Sequence, residues 1–258
     1  MRKILFLMAT LILFNNKISA ETFSGPAGKN VAYTIDTEKG TLIFTGSGEI
    51  EGIDGTDIPS WPDVKKTIKT LHIEEGITGV GDLGCSGFIN MTKAFVSSTV
   101  KYLGDRAFGN SRAMKEITLS EGIEDIKRGC FANCSVLEHI VLPSTVKEVG
   151  NDAFMSCSAL KSITCLSPEP PQIDELQPPV FTSFNIVIAE VLIVNDVEIY
   201  ENSDWAQHFS RIEKYTGAGI KKIGENKTDT YYNLNGIKVD KPQKGRIYIS
   251  GGRKIVVR

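Results

Sequence analysis

From Ile68 to Cys165 the apolar residues recur at a fixed step of 23 residues. The steps open at Ile68, Met91, Met114, Leu137 and Leu160. Three and five residues after each opener stand Leu71 and Ile73, Ala94 and Val96, Ile117 and Leu119, Ile140 and Leu142, and Ile163 and Cys165. Alternation of this kind predicts one short, half-buried strand per step. Further apolar columns run through Ile77, Val100, Ile123 and Val146, through Val80, Leu103, Ile126 and Val149, and through the bulky position held by Cys85, Phe108, Phe131 and Phe154. A single step carries too few apolar residues to enclose a core, so it hides its inward row only against the next step, and the repeat predicts a solenoid. Strand spacing puts equivalent residues about 4.8 Å apart, so each column becomes an interior ladder. Gly81, Gly104 and Gly150 recur after the fourth apolar column, where Lys127 takes the place of glycine. They predict a corner whose backbone conformation side chains resist.

The flanks lose this period. Val31, Tyr33 and Ile35 alternate with polar neighbours, a turn follows over Asp36 to Gly40, and Leu42 and Phe44 alternate again, which predicts a β-hairpin. Residues 21–67 therefore read as a β cap over the first step, with Trp61 sealing the end of the ladders. Beyond the repeats, Leu166 to Pro179 holds five of the ten prolines, and their missing N–H groups predict that strand stacking stops or becomes irregular there. Val187 to Val194 reads as a strand, Val197 and Tyr200 mark a short helix, and Trp205, Phe209 and Ile212 stand at helical i, i+4 and i+7 spacing. We take 166–215 as a C-terminal cap, 216–230 as a linker and 231–258 as a tail, in which Gly251-Gly252 joins two alternating runs as a hairpin.

Composition adds an address. Arg2 and Lys3 precede an apolar run from Ile4 to Phe14, and Ile18-Ser19-Ala20 follows, the order of a secretory signal cleaved after Ala20. The apolar run is about 11 residues long against the roughly 20 a spanning helix needs, so no integral membrane span is expected after its removal. Taking the segment's three basic residues from the chain's 29 leaves 26 against 31 acidic ones, a formal −5. Such a surface points away from nucleic acid and anionic membranes. The five cysteines occupy ladder positions, where a thiol packs as a small hydrophobe; a Cys134–Cys157 bond between stacked steps remains the other reading.

Candidate catalysis finds little to stand on. No HExxH, CxxC, phosphate-loop or GxSxG pattern occurs. His72 and His139 lie three steps apart, about 14 Å along the stack, too far to share a metal. His208 is expected to face water. No catalytic, cofactor-binding or metal-binding residue is assigned, no cofactor is expected, and the chain reads as a non-enzyme. What remains is the strand face opposite the ladders, because strand side chains alternate. Its residues are Thr70 and His72, Lys93 and Phe95, Glu116 and Thr118, and His139 and Val141, followed by Ser162 and Thr164. The first eight form the candidate ligand face, with Phe95 and Val141 apolar among polar neighbours.

The step has the form opener-Lys-x-Ile-x-Leu-Pro/Ser-x-x-Val-x-x-Val-Gly-x-x-Ala-Phe-x-x-Cys, and Leu137 to Ala159 (LEHIVLPSTVKEVGNDAFMSCSA) matches it best. With the preceding hairpin and Trp61, the stretch from Val31 to Ile212 resembles the BspA-like leucine-rich-repeat family. The first step departs from the pattern: Gly84-Cys85 stands where Ala-Phe is usual, and Phe88 is available to fill the space. The segment VLIVNDVEIYENSDWAQHFSRI resembles that family's carboxyl-terminal cap, where Tyr200, Trp205, Phe209 and Ile212 would dock on the last step, although Asn195-Asp196 replaces the usual Pro-x-Gly. The resemblance implies a mainly β fold with short α and turn segments: a right-handed leucine-rich-repeat solenoid of 23-residue coils with a β-hairpin N-cap and an α/β C-cap. It also implies a secreted or surface-exposed, adhesin-like monomer that binds an extracellular protein or glycan ligand without catalysis. The alternative is a structural or polysaccharide-associated envelope protein with no discrete partner. The tail resembles the short carboxyl-terminal β module of secreted Bacteroidetes-type proteins, which in some members is a sorting signal for type IX secretion; a generic β add-on is the other reading.

Overall fold

The computed structural model describes residues 22–52, 64–173 and 189–216, together with the strand backbone at 231–232, 238–239, 247–250 and 253–256. The signal segment, Trp61 and most of the expected linker lie outside the described residues. The chain is mainly β. Its N-terminal strands are β1 (Thr22–Gly28), β2 (Val31–Asp36), β3 (Thr41–Gly46) and β4 (Gly48–Ile50). The repeats contribute β5 (Thr70–Ile73), β6 (Ile77–Val80), β7 (Lys93–Val96), β8 (Tyr102–Leu103), β9 (Glu116–Leu119), β10 (Asp125–Ile126), β11 (His139–Leu142), β12 (Glu148–Val149), β13 (Ser162–Cys165) and β14 (Gln172–Ile173). After them come β15 (Val191–Val194), the helix α1 (Val197–Glu201) and β16 (Arg211–Lys214). Four strands close the chain: β17 (Tyr231–Tyr232), β18 (Lys238–Val239), β19 (Ile247–Ser250) and β20 (Arg253–Val256).

Each repeat thus makes two strands, one in each of two walls. The first wall holds the period-2 pair. Thr70 to Ile73 pairs in parallel with Lys93 to Val96, which pairs with Glu116 to Leu119, each a shift of 23 residues. The second wall runs β4-β6-β8-β10-β12-β14, with Asp125 opposite both Tyr102 and Glu148. Between them the ladders of Leu71, Ala94, Ile140 and Ile163, of Val80, Leu103, Ile126 and Val149, and of Phe108 and Phe131 are buried together in one core. The column logic places these residues correctly because an inward position is apolar in every step or the step above it loses its partner. Cys85 and Phe88 are both buried in the first step, and the ammonium of Lys65 lies 5.0 Å from the Phe88 ring centre.

The caps depart from the expectation or add to it in three ways. The N-terminal hairpin β2–β3 carries a third strand, β1, and β3 joins β5 in parallel at a shift of 29 residues, so the cap continues the first wall. At the prolines the stacking becomes irregular, as one of the two expected outcomes, and stops in one wall only. The second wall ends at β14, but in the first wall Ser162 pairs with Val191 and Val191 with Arg211, shifts of 29 and 20 residues. Prolines in the connection remove no donor from the strands themselves, so the ladder resumes past them. The helical spacing of Trp205, Phe209 and Ile212 is not one helix: Asp204–His208 is a 3-10 turn and Ile212 lies on β16 opposite Leu192. At the end of the chain β19 and β20 pair antiparallel, Ser250 opposite Arg253.

The corner glycines also need another account. Gly81, Gly104 and Gly150 do not have the left-handed backbone; a Cβ on each would press on the neighbouring coil, at 2.5 Å from Gly52 N, 2.8 Å from Asp82 N and 2.7 Å from Arg128 N. Close approach, not dihedral angle, favours glycine there. The left-handed corner falls two residues later, at Leu83, Arg106, Gly129 and Asp152.

A two-step alternation overlies the 23-residue period. Glu75-Gly76-Ile77 and Glu121-Gly122-Ile123 alternate with Ser98-Thr99-Val100 and Ser144-Thr145-Val146. Thr145 Oγ1 accepts from Gly122 N at 2.9 Å and donates to Ile123 O at 2.7 Å, while Ser144 Oγ donates to Glu121 Oε2 at 2.8 Å. Thr99 and Ser98 do the same for Gly76, Ile77 and Glu75. Gly122 has φ +122, and a Cβ there would overlap the carbonyl oxygen of Ser98. Gly122→Ala is expected to destabilise the fold by about 1–3 kcal/mol, read as a lowered urea midpoint at unchanged slope; an unmoved midpoint contradicts this packing.

Candidate ligand-binding face

The first wall shows solvent the side chains that its ladders do not use. Along β5, β7, β9 and β11 they form two rows: Thr70, Lys93, Glu116 and His139, and beside them His72, Phe95, Thr118 and Val141. All eight are exposed or half-buried, so the strand alternation puts every one of them on the accessible face.

The rows are not independent side chains. The His72 and Phe95 rings stack with centroids 4.8 Å apart and planes 15° apart, as parallel pairing in register dictates. Burial pushes the His72 imidazole below its ordinary pKa, so the neutral ring is favoured against Phe95. Lys93 Nζ lies 3.0 Å from Glu116 Oε2 across one strand spacing, a solvated pair of small energetic weight. His139 Nδ1 and Ser162 Oγ are 2.7 Å apart, whereas His139 Nε2 has no hydrogen bond and lies 3.9 Å from Glu138 Oε2. Burial lowers the His139 pKa, and the Glu138 carboxylate partly offsets this. The Ser162, His139 and Glu138 trio is not arranged for nucleophilic attack. Ser162 is buried, and Glu138 is engaged by Lys161 at 2.7 Å.

Two differences from the sequence reading bear on the extent of the face. Ser162 and Thr164 are buried, so the strip closes at β13, and the Thr164 hydroxyl has no hydrogen-bond partner. At the other end the strip extends onto the cap, which sequence reasoning missed. Thr41 lies opposite Thr70, and half-buried Ile43 lies opposite His72. The alternation Leu42-Ile43-Phe44 carried that signal, since its outward residue falls in register with the repeats.

Other candidate chemistry lies elsewhere. All five cysteines are free and buried, and burial pushes the Cys85 thiol up to about 12, far from a reactive thiolate. Cys134 and Cys157 stand in one column, their thiols donating to the carbonyls of Phe108 and Phe131 at 3.5 Å and 3.1 Å. His208 is half-buried where water exposure was expected. Among the described residues no three His, Cys, Asp or Glu side chains are grouped to hold a metal, and no helix is long and apolar enough to cross a membrane.

Residues 78–208 match the family model described as the BspA type leucine rich repeat region, in six copies. A leucine-rich repeat protein from Eubacterium ventriosum shares the fold with a TM-score of 0.52 at 19% identity, over 84% of this chain and 48% of that one. This chain therefore spans about half the length of that protein. A leucine rich cell surface protein from Faecalibacterium prausnitzii aligns at a TM-score of 0.42 and 12% identity, covering 93% of this chain and 62% of that one. A leucine-rich repeat protein from Bacteroides capillosus aligns at 0.37 and 21% identity, covering 56% and 97%. No curated protein matches the chain.

Proposed function

The chain belongs to the BspA-type leucine-rich-repeat family, and from that premise we propose that it is an exported, adhesin-like binding protein whose ligand is an extracellular protein held on the strand face. In this reading the steps wind as a right-handed solenoid, residues 1–20 direct export, and the C-terminal strands serve as a sorting module. The protein is monomeric and works without catalysis at the outer surface or in the medium. The observation that carries the reading is the uncovered strip itself: eight outward side chains on β5, β7, β9 and β11, all accessible, where the same positions of β13 are buried.

The stacked rings favour a polypeptide over a sugar. His72 and Phe95 cover one another's faces, so the strip presents ring edges beside Ile43 and Thr118. Face-on stacking against a sugar ring has no open platform there, whereas side chains of a protein partner can pack against edges and the Lys93–Glu116 pair.

The test is binding of the chain to an array of matrix proteins and polysaccharides, alongside a Phe95→Ala, His139→Ala variant. Saturable binding to a protein, weakened about tenfold or more in the variant, is expected of a face whose aromatic residues anchor the ligand. Unchanged affinity in the variant removes the strip from the reading. No saturable binding, with the protein fractionating only with the envelope, replaces it by the structural one.

A further inference from the structure

We propose that the junction between β9 and β11 is a hinge, which divides the strand face into two bodies joined through the second wall. From β3 to β16 every other neighbouring pair in the first wall is a hydrogen-bonded parallel ladder; β9 and β11 end two separate sheets. Three independent features meet there.

The first is the backbone. Ser97 N donates to Ile73 O, Ser120 N to Val96 O and Leu166 N to Leu142 O, closing the ladder at the end of each step. The equivalent position after β11 is Pro143, which has no N–H to offer Leu119 O. At the other end of the strands, Lys115 N donates to Thr92 O and Lys161 N to Glu138 O, but no such bond links Glu138 to Lys115. Strand backbone groups alternate sides, and Glu116 and Ser120 face β7 while Glu138 and Leu142 face β13. The amides of Ile117, Leu119, His139 and Val141 therefore face the junction, and no ladder receives them.

The second feature is the core. The inward residues of β9 are the most exposed among the first-wall strands β5 to β13: Ile117 at 7% and Leu119 at 8%, against 3% or less for Leu71, Ile73, Ala94, Val96, Ile140 and Leu142. The third is the other wall, which is intact at the same level. Asp125 pairs with Glu148 and Ile126 with Val149, and Phe131 N donates to Ala153 O and Asn133 N to Met155 O. A body held along one wall and unbonded along the other opens like a book, with the second wall as its spine.

The consequence concerns the face as a surface. Thr70, His72, Lys93, Phe95, Glu116 and Thr118 move with the N-terminal body, and His139 and Val141 with the C-terminal one. Among the described residues, the Glu121 carboxylate, which accepts from Ser144, and the hydroxyl of Thr145 tie the two at the turn just beyond the strands. The hinge stands or falls on the fold alone and does not depend on what the face binds.

Residue-resolved hydrogen exchange on the chain tests it. The amides of Ile117, Leu119, His139 and Val141 should exchange at least about 100-fold faster than those of Ala94, Val96, Glu116 and Thr118, which fill the intact β7–β9 ladder. Pro143→Ser restores the donor present at Ser97 and Ser120 and should slow the four amides about tenfold or more. Ser120→Pro should move the fault to the β7–β9 level and speed exchange at Ala94 and Val96. Equal protection at the two levels in the natural chain, or no response to both substitutions, overturns the proposal.

Discussion

Phe131→Ala is expected to lower the free energy of unfolding by about 3–5 kcal/mol, the range for truncating a fully buried aromatic residue. Phe131 is wholly buried, with the Phe108 ring 5.9 Å away on one side at 17° and the Phe154 ring 5.6 Å away on the other at 15°. Removing it strips one face from each neighbour and leaves a void between coils. Those coils cannot close on the void, because Phe108 N to Cys130 O at 2.9 Å and Phe131 N to Ala153 O at 2.8 Å fix their separation. The residue lies in the middle of the stack, where neither side can shed the damaged step without losing the interface to the next. The loss should therefore appear as one cooperative urea transition at a lower midpoint, and it is a large part of the roughly 5–15 kcal/mol that holds a domain together. A loss under about 1 kcal/mol would mean that the phenylalanine column is not a packed ladder.

Trp205→Ala should cost about as much at its own site, roughly 3–5 kcal/mol, but the damage should stay local. Trp205 is buried against the last coils. Its Nε1 donates to Pro171 O at 2.8 Å, its ring stacks on Phe209 at 6.2 Å, and Tyr200 meets it edge-on at 6.2 Å. Tyr200 is anchored in turn, its hydroxyl 3.1 Å from Ser167 O and 3.2 Å from Cys165 Sγ. Truncation opens the end of the stack and leaves a buried carbonyl without its donor. A terminal coil contacts one neighbour only, so fraying there need not propagate. Hydrogen exchange should show β15 and β16 losing protection while β5, β7 and β9 keep theirs. Uniform loss across both ends would show instead that the cap and the repeats unfold as one unit.

These two residues mark how far the sequence could be read. The ladder column that contains Phe131 was plain, because an inward position must be apolar in each step. The packing of Trp205 was implied only by resemblance, and the spacing around it misled. Trp205, Phe209 and Ile212 match a helix, yet Ile212 belongs to a strand, since burial against the last coil is satisfied equally by a 3-10 turn followed by β16. On the candidate face, alternation placed Thr70 to Val141 correctly on the outward side. It could not tell that Ser162 and Thr164 are buried, because pattern reports which side of a strand a residue takes and not what lies over it. The left-handed corner at Leu83, Arg106, Gly129 and Asp152 was hidden for another reason: four residue types occupy it, held by the coil and not by their own preference.

The amino-acid sequence by itself determined the repeat, its length, the inward columns and the alternating outward face, because stacked identical units impose the same chemistry at the same offset. Only the tertiary structure decided where that stack is continuous. Pro143 reads in the chain as one more residue after a strand, and its effect exists only because the coil beneath offers Leu119 O where Ser120 had been offered Val96 O. A side-chain column depends on residues being alike, whereas a ladder depends on a donor meeting an acceptor in another coil. That meeting is a property of the packed molecule.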